Sequence, residues 1–357
     1  MPLFTVIRVE YDYANARIRA MKSRLLDRKE LEDLAGKLDI ESVINQLEET
    51  PYRGDIEDAS VQYAGIACVE DALRRSLNRT FRLILSFVKG GDAQTLMQIF
   101  LNKWDIQNIK TILRGKNIHV PANEILESLA PAGALDDATL VALTKQTDVK
   151  AVIDLLATWG IEYSRPLTQH FKEYSESKDL VVLEYALDKF YYDNALDVVA
   201  GESYDAGIIR GMLTTEIDVI NIKSVLRIIR DKVETEDVQY YFIRGGKELD
   251  INKLSALSAT RTIDGVIKQL TGTSYDFLAR VPDENVKMEK ISAFEKELDT
   301  FLLHKALGLF TGDPLSIALA IGYLWAKLNE IANIRIIALC KTEYVPEKEL
   351  MEEIVFV

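Results

Sequence analysis

Apolar residues recur at helical spacing along nearly the whole chain. From Ala14 to Leu26, Ile18, Met21 and Leu25 fall on one side of a helix, and Arg17, Arg24 and Arg28 on another. Shorter helices are predicted over Arg28 to Leu34 and Ile40 to Leu47, the second stopped by Pro51. A long amphipathic helix over Ser60 to Leu85 closes at Gly90-Gly91, and another over Ala93 to Arg114 ends at Gly115. Tyr240 to Ile243 and Ile354 to Val357 are short β-prone runs without a nearby hairpin partner. The pattern predicts an all-α fold.

One helical segment is written three times. Asp105-Ile106-Gln107-Asn108-Ile109-Lys110-Thr111-Ile112-Leu113-Arg114 returns as Asp218-Val219-Ile220-Asn221-Ile222-Lys223-Ser224-Val225-Leu226-Arg227, and again as Glu330-Ile331-Ala332-Asn333-Ile334-Arg335-Ile336-Ile337-Ala338. The interval from Asn108 to Asn221 matches that from Asn221 to Asn333 to within one position. A second ladder, Val-Ile-x-x-Leu at Val43, Val152 and Val266, precedes the three asparagines at a nearly constant distance. Two patterns in phase predict a triplicated unit. With Gly115, Pro121, Gly245-Gly246 and Asn252 marking junctions, the repeats are expected at 1–118, 119–245 and 246–357. A weaker echo, Asp12 to Arg17 around Asn15, is off the beat.

On a helical wheel centred on each asparagine, the apolar positions −2, +1, +4 and +5 span about 120°, a face suited to docking on a core. The acids Asp105, Asp218 and Glu330 fall inside that face, and Asn108, Asn221 and Asn333 lie at its edge. Lys110, Lys223 and Arg335 sit on the opposite margin, able to reach solvent or a neighbouring helix. A carboxylate on an apolar face must find a partner, because an unpaired buried charge costs several kcal/mol. The acids and amides therefore either lock helices together within each repeat or line a shared cavity; the structural role is the expected one.

Composition narrows the function. The 48% hydrophobic and 28% charged fractions are those of a folded globular chain. Cys68 and Cys340 are too few for a disulfide framework, which fits a reducing compartment. The formal charge of −13 divides as +1, −9 and −5 over 1–118, 119–231 and 232–357. No basic stripe is available for a nucleic-acid backbone. Met1 to Arg8 lacks the pattern of a signal peptide. The uncharged stretch from Pro314 to Ala326 is shorter than the roughly 20 residues a membrane span requires, and reads as a buried helix. His119, His170 and His304 are isolated, and no G-x-x-x-x-G-K-[ST] is present. No catalytic, metal or cofactor site is expected.

The opening Tyr11 to Leu26, the three Asn-Ile-[Lys/Arg] helices and the close Glu349 to Val357 together resemble the C subunits of archaeal-type (A-type) rotary ATP synthases, a family similar to the d subunits of vacuolar ATPases. The resemblance implies three similar helical domains arranged as a funnel about a pseudo-threefold axis. It further implies a peripheral protein on the cytoplasmic face of the membrane proteolipid ring, receiving the central stalk and performing no chemistry itself. A free-standing helical-repeat scaffold for another protein partner is the alternative.

Overall fold

In the computed structural model, residues 11–88, 90–233 and 238–356 are described; the segment Met1 to Arg8, which lacks a signal-peptide pattern, lies outside them. Among the described residues every regular element is helical. The candidate strands are not strands: Val238–Tyr241 is a single 3-10 turn, and residues 354–356 leave the last helix as irregular chain. Among the described residues no helix is long and apolar enough to cross a membrane.

Local chemistry sets most boundaries. Among the described residues six short helices start at a side-chain cap, in two matched sets of three. Asp27, Asp136 and Asp250 accept from the backbone N–H of Glu30, Thr139 and Lys253. Asp39, Asp148 and Thr262 do the same for Ser42, Ala151 and Gly265. Such caps satisfy amide groups left open at a helix start and contribute about 1 kcal/mol each. Both sets keep the same beat, close to that of the asparagines.

The signature segments lie in helices Lys103–Asn117, Tyr204–Arg230 and Ala318–Thr342. Where one helix was expected over Ala93 to Arg114, there are two, Gly91–Leu101 and Lys103–Asn117. All three signature helices end alike. His119, Lys232 and Tyr344, each at the same offset from its asparagine, are left-handed (φ 60°, 49° and 56°). The valine that follows each, at 120, 233 and 345, donates its N–H back to the carbonyl of Gly115, Ile228 or Cys340. This is a helix-terminating turn that usually takes glycine.

The chain divides into two compact units. One takes residues 1–108, 126–140 and 306–357; the other takes 109–125 and 141–305. In the first, Ala318–Thr342 packs against Arg28–Ala35, Ile40–Leu47 and Gly65–Phe87. Their core joins Leu31, Leu34, Val43, Leu47, Ile56 and Val69 to Ile331, Ile334 and Ile337. In the second, Tyr204–Arg230 packs against Val181–Val198, Ile251–Ala259 and Ile263–Gln269. The Val-Ile-x-x-Leu helices at 43 and 266 thus lie against signature helices other than those that follow them in the chain. The third signature helix holds the first ladder, and the second holds the third.

Candidate functional site

The asparagines of the three signature helices make one contact three times. Asn108 donates from Nδ2 to the Ala130 carbonyl (2.8 Å) and accepts at Oδ1 from the Ala130 N–H (2.9 Å). Asn221 makes the same pair with Ile243 (2.8 and 2.9 Å). Asn333 makes it with Val355 (2.9 and 3.1 Å). The partner stands at one fixed distance beyond the asparagine each time, in chain that is neither helix nor strand. A carboxamide carries a donor and an acceptor on separate atoms, so it can take the C=O and the N–H of one residue together and substitutes for a missing strand or helix neighbour.

The acids hold the next part of the same loops in two copies. Asp105 accepts from the N–H groups of Ala134 (2.7 Å) and Leu135 (3.1 Å). Asp218 accepts from those of Glu248 (2.8 Å) and Leu249 (3.2 Å). Glu330 accepts from Leu26 N–H at 2.5 Å. Leu26, Leu135 and Leu249 each stand directly before a helix-capping aspartate, so the acid orients the entry into the following helix pair. The first two acids reach forward along the chain. The third reaches back to its N-terminal part.

Two phenols complete the anchors. The Tyr275 hydroxyl donates to Asp218 Oδ2 (2.9 Å), and the Tyr52 hydroxyl to Glu330 Oε1 (2.6 Å). The register position between them is Ile161. Lys327 Nζ lies 2.7 Å from Glu330 Oε1 and 2.8 Å from the Tyr52 hydroxyl, inside the core. Burial raises the Asp218 pKa above the ordinary aspartate value, while hydrogen bonds from Glu248, Tyr275 and Leu249 oppose the rise. Burial, then the facing Glu330 carboxylate, raises the Tyr52 pKa well above the ordinary value.

The cations just past the asparagines reach carboxylates on other helices. Lys110 Nζ meets both oxygens of Asp188 (2.6 and 2.5 Å), Lys223 meets Asp299 (2.6 Å), and Arg335 meets Glu70 (2.9 Å). One turn later Arg114 pairs with Glu184 and Arg227 with Glu295. The third copy has Leu339 at that position, which is why its signature lacks the final arginine.

Sequence reasoning placed Gly246 at a junction but missed Gly133 and the tie of both to the acids, although they stand at the same distance past Asn221 and Asn108. A Cβ on Gly133 would fall 2.3 Å from the Asp105 carboxyl, and one on Gly246 would fall 2.1 Å from Asp218 Oδ1 and 2.7 Å from the Leu249 carbonyl. The acids fit because those loops carry no side chain there. Tyr52, Tyr275, Asp188, Asp299 and Glu70 were also missed, since tyrosines and acids are common and only geometry marks these.

The off-beat echo differs in kind. Asn15 donates to the carbonyls of Pro314 (2.7 Å) and Ser316 (3.1 Å), but its Oδ1 has no partner among the described residues. It does not reproduce the paired contact. No group of three or more His, Cys, Asp or Glu among the described residues could hold a metal ion.

The family model for the ATP synthase (C/AC39) subunit matches residues 14–353, a span that contains all three signatures. The chain belongs to that family. It is similar to the A-type ATP synthase C subunit of Methanocaldococcus jannaschii, 32% identical over 95% of this chain and 85% of the relative. It is likewise similar to the C subunits of Methanosarcina barkeri (29%, covering 97% and 93%) and Haloferax volcanii (30%, covering 92% of each). As a C/AC39 protein it is a component of a rotary, membrane-associated ATP synthase complex.

Two sets of variants test the anchors of this C/AC39 protein. Gly246→Ala is expected to destabilise by about 2 kcal/mol or more, because the clash is with a fixed carboxylate and a backbone carbonyl. Asn221→Ala should cost about 2–3 kcal/mol by leaving a buried N–H and C=O unsatisfied. Urea midpoints by circular dichroism read both, and wild-type midpoints would remove the clamps from the account. The ion pairs grade by burial: Lys110 is 7% exposed, whereas the Asp299 side chain facing Lys223 is 64% exposed. Asp188→Ala is therefore expected to cost about 3 kcal/mol and Asp299→Ala less than about 1 kcal/mol.

Proposed function

We propose that the chain is a non-catalytic adaptor of the rotary complex, seating the central stalk on the membrane proteolipid ring at the cytoplasmic face and transmitting torque. The observation that carries this reading is the threefold clamp, in which each asparagine grips one residue of a later loop and each acid grips the entry to a helix pair. A part that transmits torque must not yield at its connections. Here the connections between helices are bonded to the signature helices rather than left to solvent.

The architecture that goes with this role is three similar helical domains, drawn from repeats 1–118, 119–245 and 246–357, arranged as a funnel with pseudo-threefold symmetry. The common cap register, the common helix ending and the common clamp support three equivalent units. The grip of Glu330 on Leu26 supports a closed rather than open-ended series. In such a collar Asp105, Asn108, Lys110 and their counterparts are scaffold. The role requires no cofactor, metal, nucleic-acid partner or membrane span of its own.

The experiment is a binding assay with the isolated stalk subunits and with the purified proteolipid ring. Stoichiometric capture of both is expected. Retention of neither would favour a free-standing repeat scaffold. Asp105→Ala and Asp218→Ala are expected to lower the melting temperature while binding persists below the new transition; lost binding at unchanged melting would give these acids a contact role.

A further inference from the structure

We infer that the exposed face of helix Asp12–Lys22 and the turn after it is a docking surface for a carboxylate-rich protein segment. The helix opens with one exposed acid, Asp12, and from Tyr13 to Leu26 there follow four basic residues, Arg17, Arg19, Lys22 and Arg24, and no further acid, in a chain of net charge −13. All four are exposed. The buried side of the helix is Ala14, Asn15 and Ile18.

The arginines of neighbouring helices are neutralised locally. Arg28 pairs with Glu32 and Arg53 with Glu57, one turn on, and Asp71 takes both Arg74 and Arg75. On Asp12–Lys22 the corresponding positions are apolar or neutral: one turn past Arg17 stands Met21, and past Arg19 stands Ser23. None of the four cations has a carboxylate partner among the described residues. Two are nevertheless held in place, with the Arg17 guanidinium over the Phe87 ring (5.3 Å) and Lys22 Nζ over the Phe310 ring (3.6 Å). The dipole of the helix favours Arg19 and Lys22 in its last turn by a modest amount, but it gives no reason to exclude acids from the whole of Tyr13 to Leu26 or to place Arg17 before that turn.

Three of the four are arginines, whose planar fork matches a carboxylate bidentately. A narrow acidic helix or loop can touch this face alone. A broad anionic membrane would face the rest of a chain that is still more negative than the whole, and the apolar side of the helix is already buried. The geometry therefore favours a protein carboxylate over a lipid headgroup.

The test is fluorescence anisotropy of a short, labelled oligo-L-glutamate peptide, titrated with the full chain at low and moderate salt. Saturable binding that weakens with salt is expected, and Arg19→Glu/Arg24→Glu should reduce affinity at least tenfold with unchanged melting. Arg165→Glu/Arg280→Glu, a charge-matched control elsewhere, should change it less than threefold. Equal losses in the two double variants, or no loss in the first, would overturn the assignment. So would binding to phosphatidylserine vesicles without binding to the peptide. Because no stalk or ring protein is used, failure here leaves the adaptor role standing, and failure of that role leaves this result readable.

Discussion

Three carboxylates sit where solvent does not reach. Asp105 and Asp218 are 0% exposed and Glu330 is 3% exposed, each on the apolar face of a long helix. An isolated charge there would cost a large part of a typical fold's stability. Each acid is therefore obliged to organise something around itself, and what it organises is a connection between helices. Backbone N–H groups of the connection turn inward, phenols add to two of the three sites, and the asparagine one turn on holds a second loop residue. Connections of this length usually run loose over a surface. Here their polar groups bond to the signature helix, which couples loop conformation to helix position.

That coupling explains why repeats in sequence and units in space are out of phase. The second signature helix organises chain that comes after it: Asn221 and Asp218 hold residues 243 and 248–249, and the helices that follow pack on the same helix. The pair Arg28–Ala35 and Ile40–Leu47 precedes every signature helix, so no earlier one can hold it. The third signature helix takes that pair: Glu330 grips Leu26 at its entry, and both helices pack on Ala318–Thr342. Its asparagine meanwhile holds Val355, downstream, as the other two hold their own loops. One helix thus holds chain from before the first signature, at Leu26, and chain after its own, at Val355.

The helices were legible where apolar spacing and stop signals agreed. Ile40–Leu47 begins and ends as expected, bounded by Asp39 and the turn before Pro51. Legibility failed where the spacing ran on through a break. Asn102 interrupts a continuous amphipathic pattern, and the local turn there overrode it without glycine or proline to announce it. The nine signature residues were visible because three copies repeat them. Their partners were not, since the asparagines and acids bond mainly to backbone, and an N–H group leaves no trace in residue identity. The glycines did leave one: a constant offset from asparagine to glycine, present twice, was readable but had no chemical meaning until a carboxylate was seen to fill the space. Left-handed His119, Lys232 and Tyr344 were unreadable, because the residue type that usually announces this conformation is absent.

The third copy shows how much the constraint allows. There the glycine is missing: the chain before Leu26 reads Ser23-Arg24-Leu25, so the backbone cannot be approached as closely. The acid is correspondingly glutamate, one methylene longer, and it reaches one N–H where each aspartate reaches two. The lost donor has to be replaced, since a buried carboxylate short of hydrogen bonds is costly. Lys327 replaces it, at a position that is Asn102 and Thr215 in the other copies, and Tyr52 bridges the two charges. Substitutions that look mild singly, Asp to Glu, Gly to Arg or Ser, Thr to Lys, are thus one change in how the same charge is satisfied. Reverting Glu330 alone to aspartate would shorten the arm without restoring the glycine, so the three positions are expected to vary together or not at all.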